Sequence, residues 1–74
     1  MANVKAFYDP NTEVLTIFWQ EPRKAQFSEE LGDGAILIRD EKTNEVIGVE
    51  LLSYRPGDER LNAVSVEIGQ PIVV

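Results

Sequence analysis

Asp9, Asn11 and Glu13 are the first residues of this chain whose types and spacing could bind a ligand. Oxygen-bearing side chains at positions 1, 3 and 5 open a calcium-binding loop, which also requires glycine at position 6 and a bidentate glutamate at position 12. This chain has Val14 and Gln20 at those two positions. Aspartate followed by proline is typical of a tight turn, because aspartate accepts backbone hydrogen bonds and proline has a preset φ angle. The segment therefore predicts a turn and no metal site.

Glu50 is the second candidate, because a carboxylate between Val49 and Leu51 is costly to bury without a partner. Such a group could act as a general acid or base. A small hydrolase would need carboxylates such as Glu50 and Asp33, but a chain of 74 residues is short for the cleft that this chemistry requires. Three interpretations stay open for Glu50: an exposed strand residue, a contact with a partner chain, or a catalytic carboxylate.

The other motifs that could support catalysis are incomplete. The chain has no histidine and no cysteine, so it lacks the commonest general base and the thiolate ligands of metals. Its serines therefore have no histidine to activate them. Gly32-Asp33-Gly34 is not followed by the lysine and hydroxyl residue of a phosphate-binding loop, and it predicts a tight turn. We expect no catalytic residue, no cofactor and no metal.

The charge of the chain favours some classes of partner over others. Its 13 acidic and 7 basic residues give a formal net charge of −6. Nucleic acids and anionic membranes bind clustered lysine and arginine, so we expect neither as a partner, whereas a basic protein is compatible with this charge.

No apolar run approaches the roughly 20 residues of a membrane span. The N-terminus lacks the apolar run of a signal peptide, so a cytoplasmic location is expected.

Two β-hairpins are predicted, over residues 4–20 and 35–53, within a single domain that spans residues 1–74. The first hairpin turns at 9–12. Its second strand, over 13–20, consists mainly of β-branched and aromatic residues. Because successive side chains of a strand point to opposite faces, this strand is apolar on both of its faces.

The second hairpin is predicted to turn through a four-residue loop over 41–44, with Asn44 in the left-handed conformation. Asp40 would then lie opposite Glu45, and Ile38 opposite Ile47. This register predicts a core face and a mixed face. The core face would hold Ile36, Ile38, Ile47, Val49 and Leu51, and the mixed face would include Ala35, Leu37, Arg39, Val46, Gly48, Glu50 and Leu52.

The rest of the chain carries weaker patterns. Residues 21–27 read as a loop, and residues 28–31 as one helical turn or a short strand. Asp58 could cap a short helix that ends at Ala63, and the alternation over 64–68 favours a strand. Residues 72–74 could form an edge strand. The sequence thus predicts a mostly β fold, a small antiparallel sheet built from two hairpins plus C-terminal strands, with at most one short helix.

Self-association is expected because so short a chain has little material to cover both faces of the strand over 13–20. Without disulfides or an obvious metal site, a homodimer or higher symmetric oligomer is the simplest way to bury that surface. Aromatic residues are favoured at such interfaces, although they also fill cores. The candidate interface residues are Phe7, Phe18, Trp19, Glu50 and Tyr54.

Three segments of the chain form an ordered set: Val4-Lys5-Ala6-Phe7-Tyr8-Asp9-Pro10 with Val14-Leu15-Thr16-Ile17, then Glu30-Leu31-Gly32-Asp33-Gly34-Ala35-Ile36-Leu37, then Val46-Ile47-Gly48-Val49-Glu50-Leu51-Leu52. Taken together, they resemble a small prokaryotic family known as domain of unknown function 2283. The resemblance covers about residues 4–53, with Asn44 at a turn position where the family has glycine, and residues 54–74 fall outside it. It implies a compact β-rich domain without an established activity.

The leading functional prediction is a non-catalytic protein-interaction domain that self-associates. Because some members of the resembled family are thought to be encoded beside small toxin-like proteins, the resemblance implies an alternative role, an antitoxin-like partner of a small basic toxin. The other alternative is the small carboxylate-dependent hydrolase.

Overall fold

A computed structural model describes residues 4–22 and 24–69, which form one antiparallel β-sheet and one α-helix. The predicted fold class, mostly β with one short helix, is confirmed. The predicted edge strand at 72–74 lies outside the described residues. The elements are β1 (Lys5–Asp9), β2 (Val14–Phe18), β3 (Gln26–Gly32), β4 (Ala35–Asp40), β5 (Val46–Leu51) and α1 (Arg60–Ile68).

The five strands lie in the order β1-β2-β5-β4-β3, and every neighbouring pair is antiparallel. Both predicted hairpins are confirmed as β1–β2 and β4–β5. The predicted loop over 21–27 is wrong at its end, because β3 begins at residue 26 and pairs with β4. Asp33 and Gly34 join these two strands with φ angles of 55° and 73°, the left-handed pair of residues that a two-residue hairpin turn requires.

The β1–β2 and β4–β5 turns have the same design. Asp9 and Asp40 each precede a four-residue loop, and their Oδ1 atoms accept backbone N–H groups at 2.9 and 2.8 Å respectively. The last loop residues, Glu13 and Asn44, have φ angles of 58° and 63° and donate their N–H groups to the carbonyls of those aspartates. The turn at Asp9 and the left-handed Asn44 were both predicted, and both are confirmed.

A bulge near the β4–β5 turn changes the predicted register. Ile38 pairs with Gly48 and Arg39 pairs with Val46, so Ile47 is left without a partner on β4. Beyond this bulge the pairing is shifted by one residue, and a shift of one residue moves every side chain to the opposite face. The predicted core face is therefore wrong for Ile36 and Ile38.

The core lies on one face of the sheet, beneath α1. Ala35 and Leu37, which the sequence predicted on the mixed face, belong to it together with Trp19. Trp19 Nε1 donates a hydrogen bond of 2.9 Å to the carbonyl of Val46. A buried indole N–H usually needs such a partner, and this bond fixes the ring against β5. The buried cluster is Leu15, Ile17, Trp19, Ala35, Leu37, Val49, Leu51 and Val64.

The C-terminal segment over 64–68 is part of α1, so the strand predicted there is wrong. Leu61, Val64 and Ile68 have the three- and four-residue spacing of one helix face, and they pack on the core. Val66 projects away and is 83% exposed. Gly69 ends the helix in the left-handed conformation, with a φ angle of 75°. Within the described part of the chain, no helix is long and apolar enough to cross a membrane.

Candidate protein interface

The face of the sheet opposite α1, here called the open face, carries two rows of side chains. Paired residues of neighbouring antiparallel strands point to the same side, so each row runs across the whole sheet. The first row is at least partly exposed throughout, whereas Gly48 and Ile38 in the second are buried. The first row is Phe7, Thr16, Glu50, Ile36 and Glu30, and the second is Lys5, Phe18, Gly48, Ile38 and Ser28.

The ring of Phe18 lies close to Gly48, the residue opposite it on β5. A Cβ atom added at Gly48 would lie 2.8 Å from Phe18 Cδ1 and 2.7 Å from the carbonyl oxygen of Ile17. The ring therefore occupies the space that a side chain at residue 48 would need. Phe18 remains half-buried, so it presents a fixed aromatic surface on the open face.

Glu50 lies in the middle of the open face, between Thr16 on β2 and Ile36 on β4. It is half-buried, and no hydrogen bond or ion pair joins its carboxylate to another residue in the described ranges. Glu30 flanks Ile36 on the other side. Across the open face the two rows hold these two glutamates and one lysine, Lys5, whose Nζ atom lies 3.1 Å from Glu21 Oε1. The exposed part of the face is thus mixed, with the apolar side chains of Phe7, Phe18 and Ile36 among polar and acidic positions.

The carboxylates that a hydrolase would use are not brought together. Asp33 lies in the β3–β4 turn, whereas Glu50 lies along β5 on the open face. Such a pair does not form the convergent site that general acid and base groups need.

Of the other three predicted interface residues, Phe7 also lies on the open face, whereas Tyr54 and Trp19 do not. Phe7, on the edge strand β1, is 60% exposed. Tyr54 packs against the core on the α1 side, and its ring meets Tyr8 edge-on with a centroid distance of 6.2 Å. Trp19 is 6% exposed and is a core residue. The structure therefore places Phe7, Phe18 and Glu50 on the open face, and it adds Ile36, which the sequence predicted for the core.

A partly buried ion pair at the start of α1 links the helix to the β3–β4 turn. Asp58 accepts hydrogen bonds from the backbone N–H and the guanidinium of Arg60, and Arg60 Nη1 also donates to the carbonyl of Asp33 at 2.9 Å. The hydrogen bond from Arg60 lowers the pKa of Asp58 and raises the pKa of Arg60. Asp58 accepts the backbone N–H of the first helical residue, as a cap would, but the cap position is Glu59, which makes no side-chain capping bond, and the helix continues past Ala63 to Ile68. The guanidinium contact to the β3–β4 turn has no signal in the sequence.

Comparisons of this chain with protein-family models, with curated proteins and with solved structures found no match. The resemblance to domain of unknown function 2283 therefore stays a prediction from the residues.

Proposed function

We propose that this protein is a non-catalytic protein-interaction domain that self-associates and binds a partner through the open face of its sheet. The single observation that carries the proposal is that only one face of the described sheet is covered by the helix. α1 packs on that face, and the first row of the open face is at least partly exposed from β1 to β3. The apolar members of this row, Phe7 and Ile36, are at least partly exposed and lie among polar and acidic residues. Exposed apolar side chains rimmed by polar residues are typical of binding surfaces.

The charge of this surface favours a basic partner. Glu30 and Glu50 flank Ile36, and Lys5 is engaged by Glu21. The chain as a whole has a net charge of −6, which attracts a basic protein and speeds its association. A small basic toxin, as the family resemblance implies, is one partner of this chemistry.

Ile36 offers a direct test, because it lies at the centre of the first row between the two glutamates. Ile36→Lys would replace an apolar contact by a cation and would halve the negative charge of the two flanking glutamates. Val66→Lys is the matched control, since it makes the same substitution on α1 at a position that is 83% exposed. Circular dichroism and thermal melting should first establish that both variants are folded.

Each immobilised protein would then be exposed to an extract of its own source cells, and bound proteins would be identified. We expect a basic protein to bind the wild type and Val66→Lys and to be lost or strongly reduced with Ile36→Lys. Equal retention by all three proteins would overturn the open face as the binding surface. Recovery of the protein alone, with no heterologous partner, would overturn partner binding.

A further inference from the structure

The two edge strands of the sheet differ in how they are protected against pairing with another chain. An edge strand offers unpaired backbone groups, and proteins commonly block it with charges or a bulge. β3 has both, since its register is interrupted between Glu30 and Gly32, and Glu29 lies beside Glu30. β1 has an uninterrupted register against β2, and its central residues are Ala6, Phe7 and Tyr8. β1 therefore has the features of an edge strand that pairs with a strand of another chain.

The backbone of β1 also shows which of its groups face outward. Trp19, just after β2, donates its backbone N–H to the carbonyl of Ile47 on β5. The backbone N–H and C=O groups of successive strand residues point in opposite directions, so those of every second residue of β2 point to β5, and those of the others, which include Thr16, point to β1. The partner of Thr16 is Phe7, whose backbone groups therefore point inward to β2. The N–H and C=O groups of Ala6 and Tyr8 consequently point away from the sheet.

We propose that two copies of this chain pair antiparallel through β1, with the two-fold axis at Phe7, so that two sheets become one. This inference rests on the self-association that forms part of the proposed function. In this register Ala6 lies opposite Tyr8 of the partner subunit, and their outward backbone groups exchange hydrogen bonds. A two-fold axis perpendicular to the sheet keeps both open faces on the same side, so the dimer presents one continuous binding surface.

The residue types of β1 select this register over its neighbours. Lys5 lies opposite Asp9 of the partner subunit, and the two-fold axis repeats this pair of opposite charges at the other end of the strand. Phe7, which is 60% exposed in one chain, lies against its own copy. Directly opposed aromatic and opposite-charge pairs both stabilise antiparallel strands. An axis at Ala6 would place Lys5 opposite Phe7 instead, and an axis at Tyr8 would place Phe7 opposite Asp9.

Amide hydrogen exchange on the wild-type protein tests the pairing without any substitution. Only the outward amides of Ala6 and Tyr8 gain new hydrogen bonds on dimerisation, so their exchange should become about tenfold slower at concentrations where the dimer prevails. The inward amide of Phe7 and the amides of β3 should change no more than the rest of the sheet. Concentration-independent exchange at Ala6 and Tyr8 would overturn the inference.

Single cysteines test the register, because the chain has no cysteine of its own. Phe7→Cys should form a disulfide-linked dimer on mild oxidation, since opposed residues at a non-hydrogen-bonded position lie within disulfide range. Ala6→Cys and Tyr8→Cys should form it slowly, because each lies diagonally from its own copy at about 7–8 Å. Val66→Cys, on α1, measures random collision. Equal rates for all four variants, or a faster reaction of Ala6→Cys or Tyr8→Cys, would overturn the register.

The dimer affinity of a charge variant, measured by sedimentation equilibrium, distinguishes a failure of this inference from a failure of the proposed function. Lys5→Glu should weaken dimerisation about tenfold, because two attractive pairs become repulsive at roughly 0.7 kcal/mol each. Glu21→Ala, which only releases Lys5 from its ion pair, should not weaken it. A wild-type dimer that is insensitive to Lys5→Glu would overturn the β1 interface and leave self-association intact. A wild-type monomer at high micromolar concentration would overturn both.

Discussion

Gly48→Ala is the substitution for which the structure gives the clearest sign. In the interior of an ordinary strand, replacing glycine by alanine stabilises the fold by roughly 0.5–1 kcal/mol, because glycine has more conformational freedom to lose. At this position the new Cβ atom would lie 2.7 Å from the carbonyl oxygen of Ile17 and 2.8 Å from a ring carbon of Phe18. Both contacts are too close, and the first is to backbone on the neighbouring strand, which a rotamer change cannot relieve.

Overpacking of this kind typically costs about 1–3 kcal/mol, which exceeds the entropic gain. We therefore expect Gly48→Ala to lower the free energy of unfolding by about 1–2 kcal/mol. For a domain of this size the melting temperature should fall by roughly 5–15 °C. Urea unfolding can be followed through the fluorescence of Trp19, the single tryptophan of the chain, which lies buried on the other face of the sheet.

A double-mutant cycle separates the two contacts. If the Phe18 ring is a substantial part of the obstacle, Gly48→Ala should cost less in a Phe18→Ala background than in the wild type, and the residual cost reports the contact with the carbonyl of Ile17. A Gly48→Ala protein that is as stable as the wild type, or more stable, would refute the steric argument and with it the close approach of the Phe18 ring to residue 48.

Two further predictions concern the turns and the start of the helix. Glu13→Gly should stabilise the protein by about 0.5–1 kcal/mol in urea unfolding, because Glu13 is held at a φ angle of 58°; Asn44→Gly should gain less, since asparagine tolerates that conformation, and equal gains would contradict this reasoning. The hydrogen bond from Arg60 lowers the pKa of Asp58, so the unfolded chain binds this proton more readily. The stabilisation from Asp58 is therefore present above about pH 4 and is lost as the pH falls through the folded-state pKa. Asp58→Asn should lower stability at pH 7 and flatten this acid limb, and an unchanged dependence of the melting temperature on pH would exclude the ion pair as its source.

The parts of the fold that depend on local turn chemistry could be predicted from the sequence. Asp9 and Asp40 each start a hairpin loop, and their short carboxylate side chains bond to backbone groups a few residues away whatever the tertiary context. The Asp33-Gly34 dipeptide is also a strong hairpin signal. For the residues before it, the sequence leaves open one helical turn or a short strand over 28–31, because β3 is an exposed edge that lacks an alternating apolar pattern.

The candidate site was harder to predict, because it depends on register and packing. The bulge before Arg39 exchanges the faces of β4, and nothing in the local sequence distinguishes Ile36 from Leu37 as the core residue. The alternation of Val64, Val66 and Ile68 fits a strand, but Leu61, Val64 and Ile68 equally fit one helix face. Tertiary packing decides between the two patterns, because the helix places Leu61, Val64 and Ile68 together on the core that contains Trp19.

The strand order has a consequence for how this chain assembles. The β1–β2, β3–β4 and β4–β5 pairs each join strands that are consecutive or nearly so in sequence, so each can form locally. The β2–β5 pair is different, because its four residue pairs, from Leu15 with Leu51 to Phe18 with Gly48, join two segments that are far apart in sequence. Bringing these two segments together costs loop-closure entropy, and the contacts that stabilise the pair form only after the segments have met. The sheet therefore consists of an N-terminal hairpin, β1–β2, and a three-stranded meander, β3–β4–β5, that meet at the β2–β5 pair. The cooperativity of folding depends on that pair.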